Sequence, residues 1–218
     1  RRIPVGGNDG KNKTWIELLP FYETEFSNFA KRIDSLKSLP KDVKTVVRKP
    51  FTNADALFAG ENSSIYYLKP GIIPYADTSL VIKAVAPELS GLAAIRTDRK
   101  KQVDEGTELR FTAKEPVQIL IGYFADRGNQ YLRPPQLEND ASANDYGQAE
   151  AKIRNAVWIP GMPAVNVHTY SFKAGTHTLK LGKGMCLVLG AIPENQAVPV
   201  YDAALQDAGT KVIDWLFD

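Results

Sequence analysis

The sequence predicts a mainly β protein: an antiparallel two-sheet β-sandwich of jelly-roll type, with an N-terminal amphipathic helix and a short C-terminal helix. Three observations carry this. Val117 to Phe124 (VQILIGYF) is almost wholly apolar and lacks proline, as a strand buried on both faces requires. Further short apolar runs follow and precede it, punctuated by Gly, Pro and Asn turns. Helical periodicity is confined to the two ends, with no alternation of strand and helix and no GxGxxG phosphate loop.

The central strand has a clear predecessor. Thr107 to Ala113 (TELRFTA) alternates, with Leu109 and Phe111 on one face and Glu108, Arg110 and Thr112 on the other. The intervening KEPV is short enough for a hairpin, and a slip of one residue would bury Arg110. HTLKLG and MCLVLGAI read as partners of the central strand, and Ile119, Ile121, Leu187 and Leu189 as core.

In chain order, residues 1 to 13 read as a flexible polar lead. Phe26, Phe29, Ala30, Ile33 and Leu36 recur at helical spacing, and Pro40 lies just beyond. Val43 to Val47, Ser64 to Leu68, Thr78 to Val85 and Ala93 to Arg96 read as strands. Phe51 to Ser64 reads as loop, and the charged run after Arg96 as a solvated turn. Ala125 to Val157 has little strand pattern, with a short helix expected over 147–155; so long a stretch inside a compact domain points to function or disorder. Strands resume at Val157 to Ile159, Val165 to Phe172, Thr176 to Leu181 and Cys186 to Ile192. The tail from Asp202 carries an apolar stripe of Val212, Ile213, Leu216 and Phe217. The expected division is a lead, helix and linker over 1–60, the sandwich over 61–200, and a helical tail over 201–218.

The 218 residues suffice for a sizeable core, and 44% hydrophobic with 24% charged residues is ordinary for a globular chain. A net charge of +2, with basic residues scattered among acids, argues against nucleic acid as partner. No apolar run is long enough to span a bilayer as a helix, and no signal peptide is seen, so a processed chain or a fragment is expected. The single Cys186 has no partner for an intrachain disulfide; flanked by strand residues, it reads as a buried, inert thiol.

One stretch resembles a known family. PELSGLAAIRTDRKKQ, then GTELRFTAKEPVQILIGYF, is similar to β-sandwich domains attached to bacterial glycoside hydrolases and polysaccharide-utilisation proteins. Pro87, Glu88, Leu89, Gly91, Ile95, Thr97, Phe111, Pro116, Val117 and Tyr123 carry the likeness, followed by Trp158 and by Phe172, Gly175, Leu179 and Gly182. It covers about half the chain, mostly as strand and turn grammar. The family's charged turn is acidic where this one, Asp98 to Lys101, is basic. The resemblance implies a non-catalytic carbohydrate-binding or accessory domain of a bacterial polysaccharide-degrading system, secreted, periplasmic or cell-surface. Its partners would be a poly- or oligosaccharide and a catalytic domain of the same chain or complex. A small glycoside hydrolase or lyase, and a structural domain docking a catalytic partner, are the alternatives.

Sugar sites on such scaffolds use aromatic faces with planar polar groups beside them. The stretch after the central strand supplies Asp126, Arg127, Asn129, Tyr131, Arg133, Tyr146 and Trp158 as candidate ligand residues. Arg127 and Arg133 suit a carboxylate or sulfate, or else pair with Asp126, Glu138 or Asp140 to order the loop. Trp158 and Tyr131 either meet sugar or pin the loop to the sheet. Tyr66, Tyr67 and Tyr75 read as core. Asp126, Glu138, Asp140, Asp145 and Glu150 are acids in a polar loop, with nothing in the sequence to bury one and raise its pKa as glycoside hydrolysis requires. His168 and His177 lack metal-ligand spacing, and Glu138 to Asp145 departs from the EF-hand pattern. No cofactor is expected, with calcium at 138–145 the weak exception.

Overall fold

The computed structural model describes residues 2–5, 14–17, 27–28, 31, 47–59, 64–136, 142 and 144–205. The chain divides into two compact units, Arg1–Val47 and Arg48–Asp218. In the first, β1 (Arg2–Val5) pairs antiparallel with β2 (Thr14–Glu17), so the lead expected to be flexible contains a paired strand. The expected Phe26–Leu36 helix lies largely outside the described residues, of which Ser27, Asn28 and Lys31 are helical. The expected strand over 43–47 and the tail stripe beyond 205 lie outside them but for Val47, which is not in a strand.

The second unit is mainly β, with few helices and curled antiparallel sheets that form a half-barrel. Its strands are β3 (Ala56–Ala59), β4 (Ser64–Tyr67), β5 (Ala84–Val85), β6 (Ala93–Arg96), β7 (Thr107–Ala113), β8 (Val117–Phe124), β9 (Ile153–Trp158), β10 (Val165–Phe172), β11 (Gly175–Leu181), β12 (Cys186–Pro193) and β13 (Tyr201–Asp202). The larger sheet runs β13-β9-β10-β8-β12-β6-β4, with β5 on β9, and is antiparallel except where β13 meets β9. The smaller sheet runs β11-β7-β3.

The central strand is where the sequence places it, between β10 and β12. Its side chains alternate between two cores. Val117, Ile119, Ile121 and Tyr123 enter the core shared with the smaller sheet, beside Leu109, Phe111 and Leu179. Leu120 and Phe124 enter the opposite core, against Leu68, Ile82, Leu89 and Leu92 from the irregular chain between β4 and β6. A strand covered on both faces has no solvent side, which is why VQILIGYF reads as a continuous apolar run. Each fully buried aliphatic side chain such as Ile119 contributes about 1.5–3 kcal/mol of transfer free energy.

Several expectations are corrected. KEPV is not a hairpin: β7 pairs with β11 and β3 while β8 pairs with β10 and β12, so the short link carries the chain from one sheet to the other. HTLKLG accordingly pairs with β7, not β8. The crossing leaves β7 half-exposed, with a strict buried-exposed alternation that keeps Arg110 in solvent. Phe51 to Ser64 contains β3, whose Phe58 packs on the shared core. The expected strand Thr78–Val85 shrinks to β5. The charged run after Arg96 is a short helix, α1 (Arg99–Asp104), started by Asp98, whose Oδ1 accepts the Lys101 N–H at 2.8 Å. The helix expected over 147–155 is instead turn and then β9.

Candidate functional site

β8 ends at Phe124, and the chain turns at once. Asp126 accepts the Gly128 N–H at 2.6 Å, the Tyr131 N–H reaches the Gly128 carbonyl at 3.0 Å, and Tyr131 bridges to Met185 just before β12. The Met185 N–H donates to Gln130 O at 2.8 Å and the Leu132 N–H to Met185 O at 3.1 Å. Residues 126–132 therefore form a hydrogen-bonded turn fixed to the best-buried strands. From it Arg127, Asn129 and Arg133 project into solvent, and neither arginine pairs with a carboxylate among the described residues. Glu138 and Asp140, their alternative partners, lie outside those residues.

Tyr131 departs from expectation. Its ring is 9% exposed and packs on Phe124 with centroids 5.1 Å apart, so it pins the turn to the core instead of offering a face to ligand. Trp158 is half-buried on β9, where its carbonyl accepts the Lys83 N–H at 2.8 Å. It belongs to the same end of the sheet as Asp126, because Val157 pairs with Val165 and Val165 with Phe124.

Tyr146 belongs to the other end. Its carbonyl accepts the Ser171 N–H at 2.8 Å, and its ring stacks on Phe172 at 4.9 Å and 27°. Phe172 is opposite Val117, the first residue of β8. The length of β8, about 23 Å at about 3.3 Å per residue, separates the two groups. Six of the seven candidates thus form two surfaces, a basic turn of Asp126, Arg127, Asn129 and Arg133 with Trp158 at one end and Tyr146 at the other, while Tyr131 belongs to the core.

The remaining candidates are structural. Cys186 is fully buried, accepts from Gln102 Nε2 at 3.3 Å, and burial pushes its thiol up to about 12. His168 is 4% exposed; burial lowers its pKa, and its Nδ1 donates to the Gln148 carbonyl at 2.8 Å. His177 meets the Lys173 carbonyl through Nε2 at 2.8 Å and packs on Phe111 and Phe172. Tyr66 and Tyr75 are core, whereas Tyr67 faces solvent. Among the loop acids, Asp145 and Glu150 are exposed, and the Lys152 ammonium at 2.6 Å holds Glu150 below the usual range. Among the described residues no three His, Cys, Asp or Glu side chains gather as a metal site. The stretch weighed for calcium lies mostly outside them.

Two features escaped the sequence reading. Glu88, in a 3-10 turn (Pro87–Leu89), is 3% exposed and bonded to Arg48 at 3.0 Å and to the Tyr201 hydroxyl at 2.7 Å, while the Arg48 guanidinium lies 3.3 Å above the Tyr201 ring. No local pattern links positions so far apart in sequence. The second is a polar cleft of about 410 Å³ lined by Lys101, Glu105, Thr107, Glu108 and Lys180. Its floor is Gly106, whose φ of +91° and closeness to the Leu181 carbonyl, 3.1 Å from where a Cβ would sit, require glycine. Its charges pair with one another, Lys101 with Glu105 at 4.0 Å and Lys180 with Glu108 at 3.4 Å.

The second unit is thus mainly β, and among the described residues no helix is long and apolar enough to cross a membrane. The chain is similar to part of a glycoside hydrolase family 138 enzyme described as targeting the pectin rhamnogalacturonan II, with a TM-score of 0.68 and 38% identity. That likeness covers 91% of this chain and 23% of the enzyme, so the chain spans under a quarter of the length of the protein it matches. A β-glucuronidase of glycoside hydrolase family 2 aligns with a TM-score of 0.42 and 16% identity over 65% of this chain and 13% of that one. No protein-family model and no curated protein matches the chain.

Proposed function

We propose that the chain is a non-catalytic carbohydrate-binding or accessory β-sandwich domain of a bacterial enzyme that degrades pectic polysaccharide. The observation that carries this is the 38% identity over 91% of the chain to a segment making up only 23% of a family 138 enzyme. A piece of that proportion is one module among several, and its partner would be the catalytic part of the same protein or complex. The core shared by the two sheets supports the sandwich reading. Its place of work would be outside the cytoplasm, where polymers too large to cross a membrane are met.

The carboxylates of the described residues favour a binding over a catalytic role. Glycoside hydrolysis needs a pair flanking the scissile bond, one of them kept protonated by a raised pKa. Asp77, Glu108 and Glu150 all move the other way. At Asp77 slight burial opposes the shift, but the Arg99 and Lys100 N–H groups hold the carboxyl down; the Arg110 guanidinium does so at Glu108, and Lys152 at Glu150. Glu88, though buried, is engaged by Arg48 and Tyr201. No cofactor is needed for binding.

The proposed contact surface is the turn carrying Asp126, Arg127, Asn129 and Arg133, with Trp158 beside it. Two guanidinium groups without a carboxylate partner among the described residues suit the carboxylates of an acidic glycan, which an arginine can bind bidentately. Affinity electrophoresis through gels containing pectic polysaccharide tests the reading. Retardation that weakens in the Arg127→Ala/Arg133→Ala double variant and in Trp158→Ala is expected. Release of reducing ends from the same polymer by the purified chain would replace it with a hydrolase.

A further inference from the structure

We infer that Tyr146 is a second glycan contact, a flat aromatic platform for the apolar face of a pyranose ring, at the end of β8 opposite the basic turn. The inference rests on the carbohydrate-binding function proposed above and adds to it a separate site.

Tyr146 is 46% exposed, unusual for an aromatic ring whose neighbours Phe172 and Phe111 are 6% and 1% exposed. Phe172 covers one face of the ring, stacked at 4.9 Å, and is itself held edge-on by Phe111 at 5.1 Å. Among the described residues no second ring is stacked on it, and nearly half of the residue remains exposed. A ring in this setting has few rotamers to lose when a ligand covers it, and the flat apolar face of a sugar is a ligand that matches an exposed aromatic ring.

The stack on Phe172 is one tie of its loop among several. The segment around it is tied by other groups. The Tyr146 N–H donates to Gln148 Oε1 at 2.8 Å, Ala149 N–H to Asn144 Oδ1 at 3.0 Å, and Gly147 N–H to the Asn144 carbonyl at 3.0 Å. The Ser171 N–H and His168 Nδ1 fasten the segment to β10 through the Tyr146 and Gln148 carbonyls. Gly147 takes a φ of +77° at the turn, which a side chain would strain. A loop anchored by its backbone and by the buried Gln148 is held mainly by groups other than the exposed tyrosine ring. Asn144 and Asp145, both exposed on the same turn, supply polar groups next to the platform, as sugar hydroxyls require.

Isothermal titration with rhamnogalacturonan II and with oligogalacturonides, on the whole chain, tests this. Tyr146→Ala should weaken binding about tenfold or more, while Tyr146→Phe stays within about twofold, because the ring face and not the hydroxyl is the contact. The melting temperature of Tyr146→Ala should fall by no more than about 4 °C, the equivalent of about 1 kcal/mol. Wild-type binding that survives Tyr146→Ala, or that is lost equally in Tyr146→Phe, overturns the platform and leaves the basic turn as the site. A wild-type chain that binds neither probe overturns the carbohydrate-binding function and the platform with it. A Tyr146→Ala protein that unfolds assigns the ring to the loop's structure and likewise overturns the platform.

Discussion

The Glu88 carboxylate lies 2.7 Å from the Tyr201 hydroxyl, although the two residues stand far apart in the second unit's sequence. Arg48 completes the cluster by bonding the other carboxylate oxygen and covering the Tyr201 ring. The first residues of the unit, its 3-10 turn and its last described strand thus meet on one nearly buried acid. Glu88→Ala would leave the Arg48 charge and the Tyr201 hydroxyl without their partner. Since Arg48 remains partly in solvent, the cost expected is about 2–3 kcal/mol, below that of a fully buried pair. Thermal denaturation should show a loss of about 5–10 °C, with Tyr201→Phe costing less. An unchanged melting temperature in Glu88→Ala would mean that the clasp contributes nothing.

Gly190 interrupts β12. The pairing of β12 with β8 shifts between Val188 and Gly190, Gly190 adopts a φ of +113°, and a Cβ there would stand 2.6 Å from the Ala93 carbonyl oxygen. The bulge changes which face each residue takes: Cys186 and Val188 enter the core shared with the smaller sheet, and beyond the bulge Ala191 does so. Gly190→Ala combines backbone strain with a clash against main chain and should cost about 3 kcal/mol or more. Chemical denaturation measures this directly, and a loss under about 1 kcal/mol would contradict the bulge.

This bulge shows what the sequence could and could not disclose. Residues whose burial follows a local period were legible: β8 as the central strand, the alternation of β7, and Ile119, Ile121, Leu187 and Leu189 as core. Strand pairing was not, because it depends on contacts between distant segments. KEPV has hairpin length, yet links two sheets. A bulge adds a residue without leaving a mark beyond a glycine. For the candidate site, what the sequence disclosed is exposure. Exposed Arg127, Asn129 and Arg133 follow from their place after a buried strand. The burial of Tyr131 follows from its bridge to Met185 and its packing on Phe124, and the separation of Tyr146 from Trp158 from how the chain returns along β9 and β10; no spacing encodes either.

His168 is expected to give the fold a pH dependence. Burial lowers its pKa below the usual value near 6.5, the nearby Lys152 charge lowers it further, and the bond to the Gln148 carbonyl only partly offsets them. The unfolded chain therefore takes up the proton first. The stability that neutral His168 allows is complete above about pH 6.5 and is lost as the pH falls from there through the folded-state value. His168→Asn keeps a donor near the Nδ1 position and removes the titration. Its melting temperature should decline less than the wild type's between pH 7 and pH 5. Parallel declines would show that His168 does not carry the effect.

Under the proposed function, this domain would hold a pectic glycan without cleaving it. Backbone amide NMR during titration with rhamnogalacturonan II oligosaccharides tests both halves at once. Saturable shifts are expected at Arg127 and Asn129 in the basic turn and at Gly147 and Gln148 beside Tyr146, with the anomeric signals of the glycan unchanged over hours. New reducing-end anomeric signals, or amide spectra that do not move at millimolar glycan, would contradict it.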